Sequence, residues 1–511
     1  MKERMKNSGI DWVSVIVPPV VILALGAIFI ALPESEGFLS RIGDFFRDDF
    51  GLYYILLGVL IFGATIYMAF SKIGKIRLGK TDKPAFSNFT WGALIFTSTM
   101  AADIIFFSLS EWAMYYNEPR VNELGDPILW SATFPLFHWG PIAWSFYIVL
   151  AISFGYMLHV KKGTKQKFSE ATRALFGKRV DGPLGKVIDL LAIFALLAGT
   201  ATTFSVATPL IAAALGSVFG IGTGTAFTII ILLMVAVIYT IALLTGVKGI
   251  SRLAKISVYF FFAFLIYVLV LGGEGRFILE TGISALGNLG QNFLGLATWT
   301  DPMRNDSFPQ NWTTFYWAYW MAWCVATPFF IGMVSKGRTI RNTVLGGYAW
   351  GLAGTFTSFI ILGNYGLSQQ ARGILDTAGA IYNYDYSVNY YAILDIIQSL
   401  PMPTIALLLL ALVMIIFYAS TFDVLTYVIS GYSYKNLPPD KEPGRLVRIF
   451  WAAVIIILPI GLIFGVDALN SLQSVAIIAA FPIGIIVTLI VISFFKDVSS
   501  HYKNKGDGKN E

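Results

Sequence analysis

Two carboxylates stand where a bilayer would put hydrocarbon. Asp103 lies in FTSTMAADIIFF and Asp423 in FYASTFDVLTY, each inside a long apolar run. A charge at bilayer depth is expensive, so such acids tend to mark ion or substrate pathways. No Lys or Arg lies deep in an apolar run, so neither acid has a basic partner legible in the sequence. An acid so placed either keeps its proton or neighbours a cation. For Asp423, the adjacent Ser420 and Thr421 offer a purely structural solution through hydrogen bonds.

The second pattern is aromatic. Phe137-His138-Trp139 is followed by Trp144 and Tyr147, and residues 312–323 carry Trp312, Phe315, Tyr316, Trp317, Tyr319, Trp320 and Trp323. On one continuous helix Trp139, Trp144 and Tyr147 fall within an arc of roughly 140°. Trp317, Trp320 and Trp323 recur every three residues and read as one face. Trp and Tyr at the water interface account for rings at helix ends, such as Trp312, but poorly for Trp320 and Trp323, which lie farther in. Converging aromatic faces suit a cation that offers no hydrogen bonds, a quaternary ammonium above all; packing among themselves is the alternative. A third, weaker pattern joins Thr97, Thr99 and Met100 with Phe417, Ser420 and Thr421: hydroxyls and exposed carbonyls that a small cation could use.

Other chemistries find little support. Cys324 is the single cysteine, inside an apolar run, and reads as a small buried hydrophobe. His138, His159 and His501 are too few and too scattered for a metal cluster or an intramembrane catalytic pair. No enzyme activity and no cofactor are expected.

The elements that must position these residues are membrane helices. The chain of 511 residues is 56% hydrophobic and 13% charged, against about 25% charged in soluble proteins, with a mean hydropathy of +0.70. A span needs about 20 mostly apolar residues. Twelve are predicted, at 12–32, 52–70, 90–110, 133–159, 186–217, 223–246, 256–274, 312–334, 343–366, 403–431, 446–465 and 471–495. The first reads as an uncleaved span rather than a signal peptide. Segments 186–217 and 403–431 are long enough to be tilted, kinked or extended beyond the bilayer. With the N-terminus cytoplasmic, 30 of the 36 Lys and Arg fall on the cytoplasmic side and 6 on the other, as the positive-inside rule requires. The basic balance is therefore topological, and nucleic acid is not an expected partner. Segment 277–292 is too polar to span and reads as an amphipathic helix at the outer interface. The tail, 496–511, is short and polar.

Several stretches carry a family likeness. WTTFYWAYWMAWCVATPFFIGMVSKGRTIR at 312–341, FHWGPIAW at 137–144, GKIRLGK at 74–80 and FPQNWT at 308–313 resemble the betaine/choline/carnitine transporter family, over about 12–495. The resemblance implies an all-α membrane protein of LeuT-like fold, importing a quaternary ammonium solute by alternating access. Residues 1–76 would hold the N-terminus and two peripheral spans, and 89–275 a first five-helix repeat. The interfacial helix and loop would occupy 276–311, an inverted second repeat 312–495, and the tail the remainder. Substrate would sit at midplane between broken helices, in a homotrimer.

Residue by residue, the family's aromatic box maps onto Trp139, Trp144, Tyr147 and Trp320, with Trp323 as a further aromatic. Its sodium site maps onto Thr97, Met100, Phe417, Ser420 and Thr421. Three positions depart. Asp103 stands where sodium-coupled betaine carriers have glycine, Tyr319 replaces a usual Trp, and Met333 a usual Arg. Family members with an acid at this position resemble proton-coupled choline carriers. The physics agrees: an ionised Asp103 attracts choline, a cation, and repels the carboxylate of betaine, and a protonated one seats the coupling proton. The expectation is choline with protons. Sodium-coupled glycine betaine symport and carnitine/betaine exchange are the alternatives within the family, and an amino-acid or amine carrier of the same fold is the alternative outside it.

Overall fold

The computed structural model describes residues 9–31, 35–100, 102–163, 165–382, 390–438, 441–463 and 468–506. Its principal elements are helices, numbered here in chain order. They begin with α1 (Trp12–Ala31), α2 (Ser35–Asp48), α3 (Gly51–Phe70), α4 (Asn88–Thr99), α5 (Asp103–Tyr116), α6 (Pro127–His138) and α7 (Pro141–His159). Then come α8 (Pro183–Phe219), α9 (Thr225–Leu244), α10 (Val247–Leu271), α11 (Gly275–Thr298), α12 (Phe315–Trp323) and α13 (Thr327–Val334). The last are α14 (Ile340–Ser358), α15 (Asn364–Ala371), α16 (Pro403–Tyr432), α17 (Arg445–Ile463) and α18 (Ala468–Gly506).

Among the described residues eight helical spans are long and apolar enough to cross a bilayer, and two further bent pairs reach that length together. The first predicted span coincides with α1, whose described apolar stretch is the shorter Trp12–Val21. The eleventh coincides with α17, and positions 464–465 of that prediction lie outside the described residues. The two long predicted spans are α8, 37 residues with Pro209 inside it, and α16, 30 residues. Residues 277–292 lie within α11, which is longer than expected; it buries Ile278, Ala285 and Leu289 and exposes Leu279, Ile283 and Leu286.

The bent pairs are the features that matter for a site. α4 and α5 meet at 63°, and the segment 309–323 meets α13 at 56°. They fall on the third and eighth predicted spans, the first helix of each expected repeat. The first break forms without glycine or proline. Instead Thr97 bonds to the Ala93 carbonyl, and Ser98 and Thr99 both bond to that of Ile95. Hydroxyls bonded back onto the preceding turn loosen and bend a helix, and Met100 then leaves the helix in an extended conformation. A broken helix end strands carbonyls that no water can reach. Here Thr421 on α16 donates to the carbonyls of Thr97 at 2.8 Å and Met100 at 3.0 Å. Thr327, first residue of α13, donates to the Ser98 carbonyl at 2.7 Å. The first break is thus completed by one hydroxyl from the second break and one from α16.

A third interruption lies between α6 and α7. Trp139 ends α6, Gly140 is extended, and Pro141 opens α7. A side chain on Gly140 would place its Cβ 2.3 Å from the Leu136 carbonyl oxygen, so only glycine fits. The 140° arc assumed one continuous helix; the interruption turns Trp139 independently of Trp144 and Tyr147.

Outside the helices, the N-terminal segment is pinned to the far half of the chain. Ile10 pairs with Tyr434 in an isolated antiparallel bridge, and the Asp11 amide donates to the Ser433 carbonyl at 2.7 Å. The Asp11 carboxylate accepts from Lys167 at 2.6 Å and from Lys186. Burial on its own would raise the Asp11 pKa, but the two ammonium groups outweigh it and hold the carboxyl down at about 2.

Candidate functional site

Asp103 opens α5 beside the first break and is almost fully buried, as the sequence anticipated. At a helix N-terminus its carboxylate also meets the positive end of the helix dipole. Its Oδ2 accepts from the Tyr319 hydroxyl at 2.5 Å and from Thr203 Oγ1 at 3.2 Å. The two hydroxyls lie 3.0 Å from each other. The side chain of Tyr319, where the family usually has Trp, is thus what Asp103 holds. Thr203, on α8, was not anticipated. Hydroxyls both donate and accept, so this triangle accommodates Asp103 with or without its proton.

The four expected box residues come together around Trp320. Its ring centroid lies 5.6 Å from Trp139, 5.6 Å from Trp144 and 5.0 Å from Tyr147, and Trp144 lies 6.2 Å from Tyr147. All four rings are buried. Phe107, one turn along α5 from Asp103, joins the acid's surroundings to the box, 6.3 Å from Tyr319 and 5.4 Å from Trp139.

Trp317 and Trp323 point elsewhere. Trp317 packs on Phe137 and His138 at 5.4 and 6.0 Å. Trp323 meets Tyr319 and Phe422 at 6.4 and 6.3 Å. The single face read from the three-residue spacing is therefore spread over three environments, because each step of three falls about 60° short of a full turn. The indole N–H groups of Trp144, Trp320 and Trp323 have no hydrogen-bond partner among the described residues.

The expected ion ligands also converge. Thr421 Oγ1 already reaches the Thr97 and Met100 carbonyls, and Ser420 Oγ bonds to the Phe417 carbonyl at 3.0 Å. The Phe417 ring lies 5.7 Å from that of Phe96 on α4. Neutral hydroxyl and carbonyl oxygens of this kind suit a hard monovalent cation. These same bonds leave Ser420 and Thr421 turned away from Asp423. Neither Asp423 oxygen has a hydrogen-bond partner among the described residues, although the side chain is fully buried; the structural solution offered by its neighbours is not the one adopted.

Sequence reasoning missed Glu111. It lies one residue past the predicted end of the third span, while α5 runs on to Tyr116. Glu111 is fully buried, accepting from Trp139 Nε1 at 2.7 Å and from the Tyr115 hydroxyl at 2.6 Å. His138, set aside as a lone histidine, belongs to the same cluster through Tyr115. The available signal was an acid within the boundary error of an apolar run. Among the described residues no group of three His, Cys, Asp or Glu could hold a metal ion. Cys324 is buried, with its thiol on the Met321 carbonyl. Met333, in place of the usual Arg, lines a cavity of about 210 Å³ with Phe86, Val247, Tyr427 and Glu442.

Many apolar helices, two of them interrupted beside a buried acid and a cluster of aromatic rings, have the organisation of a multi-span membrane protein. Sequence comparison narrows the class. The model of the BCCT family, the betaine/carnitine/choline transporters, matches residues 12–503. The chain is 33% identical to a "probable glycine betaine transporter" of Desulfitobacterium hafniense, over 92% of this chain and 94% of the relative. It is 25% identical to a high-affinity choline transport protein of Escherichia coli, over 91% and 68%. A solved structure of a sodium-coupled sialic acid symporter superposes with a TM-score of 0.43 at 15% identity, covering 90% of this chain and 87% of that one. The chain belongs to the betaine/carnitine/choline transporter family, whose named members here are transporters and not enzymes.

Proposed function

We propose that the protein imports choline by alternating access, driven by protons. The observation that carries the reading is Asp103, buried beside the first break with the hydroxyls of Tyr319 and Thr203 on its carboxyl. Trp139, Trp144, Tyr147 and Trp320 supply π faces to the trimethylammonium head. Trp323 lies beside Tyr319, which holds Asp103. Asp103 faces the cation when ionised and carries the coupling proton when neutral. The two hydroxyls reorient to serve either form. The reading includes a bacterial cell membrane, both termini in the cytoplasm, two inverted repeats and a trimer.

A second reading, sodium-coupled glycine betaine symport, is favoured by two observations. Thr97, Met100, Phe417, Ser420 and Thr421 place their oxygens together. The unpartnered indole N–H groups beside the box would suit a carboxylate.

Uptake of labelled choline and betaine into proteoliposomes, with proton and sodium gradients imposed separately, tests the choice. Choline accumulation should follow the proton gradient and be lost in Asp103→Gly. Choline uptake indifferent to pH and unchanged in Asp103→Gly would sink the proton-coupled reading.

A further inference from the structure

Glu111 is a second buried acid on the helix that carries Asp103, eight residues farther along and so about 12 Å along its axis. Its surroundings are well defined. Oε2 accepts from Trp139 Nε1 at 2.7 Å, and Oε1 from the Tyr115 hydroxyl at 2.6 Å. The Tyr115 oxygen lies 2.7 Å from His138 Nδ1, and His138 Nε2 lies 3.2 Å from Thr313 Oγ1. The His138 ring lies flat on Tyr316, 4.8 Å between centroids at 17°. Glu111, Tyr115 and His138 are wholly buried.

The donors allow two wirings of this cluster. An indole N–H can only donate, so Glu111 Oε2 is an acceptor. With Tyr115 donating to Oε1, its oxygen accepts from His138 Nδ1–H, and Thr313 donates to His138 Nε2. Every proton is then used once, the imidazole is neutral and Glu111 is a carboxylate; a protonated Glu111 donating to Tyr115, which in turn donates to Nδ1 while Nε2–H donates to Thr313, uses the same contacts. No Lys or Arg belongs to the cluster. A buried carboxylate without a cation is costly, and the acid's tie to Trp139 leads directly into the aromatic box, since Trp139 lies 5.6 Å from Trp320.

We propose that Glu111 is held in the first of these forms, as a carboxylate, and is a specificity-determining positioning residue acting on the substrate through Trp139. Its carboxylate fixes the indole by the N–H and pushes electron density onto the ring face. It also supplies the box with a net negative charge that favours a full cation over a zwitterion. Glu111 does not touch the substrate; the indole stands between them. The inference rests on the quaternary-ammonium reading above, and it concerns selectivity rather than coupling.

The test is uptake kinetics of the full-length protein in proteoliposomes, for choline and for glycine betaine, in wild type and Glu111→Gln. Glutamine keeps the shape and one acceptor oxygen for Trp139 but removes the charge. The choline KM should rise while the betaine KM holds or falls, so that their ratio shifts by about tenfold, ~1.4 kcal/mol. Tyr115→Phe removes a bond but not the charge and should leave the ratio near the wild-type value. If Glu111→Gln does not fold, Glu111→Asn carries the test, because it also removes the charge while keeping an amide; the ratio must shift in the same direction. An unchanged ratio in a folded variant, or both KM values rising together, overturns the inference and leaves the transport reading standing. Wild-type protein that takes up neither solute overturns both.

Discussion

Trp320→Leu is the sharpest test of the aromatic box. Trp320 is the ring on which the other three converge, at 5.0 to 5.6 Å. Replacing it leaves an apolar side chain but removes the π face that all three neighbours share. A desolvated cation–π contact contributes ~2 kcal/mol, and at ~1.4 kcal/mol per decade the KM for choline should rise about 30-fold. Losing a buried indole also destabilises the fold, by roughly 3 kcal/mol, so affinity alone does not isolate the effect. Trp317→Leu is the control. Trp317 sits one turn away on the same helix, equally buried, but packs on Phe137 and His138. Both variants should melt at lower temperature by similar amounts. Only Trp320→Leu should weaken choline uptake and its competition by tetramethylammonium selectively. Equal losses of affinity in the two variants, or a Trp320→Leu KM within twofold of wild type, would refute the box.

Two further outcomes follow from hydrogen bonds and charge. Thr421→Val removes the hydroxyl that serves the Thr97 and Met100 carbonyls; at about 1–3 kcal/mol for each buried group left unmet, melting temperature and transport should both fall, and Thr421→Ser should restore them. Asp11 is held at about 2 in the folded protein against an ordinary 3.8, so its stabilising contribution is complete above about pH 4 and is lost as pH falls towards 2. Thermal melts between pH 5 and 2.5 should decline less steeply in Asp11→Asn than in wild type.

The membrane class was legible because hydropathy and loop charge report on the solvent of each segment, and neither depends on tertiary detail. The box residues were legible through the family likeness, which carries a spatial pairing that helical periodicity misassigned. Periodicity alone put Trp317, Trp320 and Trp323 together, and the fold separates them. It also assumed a continuous helix through Gly140, where the backbone is extended and Pro141 opens a new helix. Glu111 escaped notice because hydropathy averages over a window, and an acid at a span end is read as loop. The first break was hidden for a different reason. Its cause is three hydroxyl side chains in a row rather than the glycines that usually announce an interruption, and hydroxyls are common in ordinary helices.

The bonding of the first break to α13 and α16 has a consequence for leakage. The Ser98 carbonyl depends on Thr327, and those of Thr97 and Met100 depend on Thr421. A state in which the first interrupted helix has swung away while α13 and α16 stay put would strand these groups in a dry interior, at about 1–3 kcal/mol apiece. Such half-moved states are the ones through which an ion could slip without its passenger. The hydroxyls of Thr327 and Thr421 therefore bias the first broken helix, α13 and α16 towards moving together.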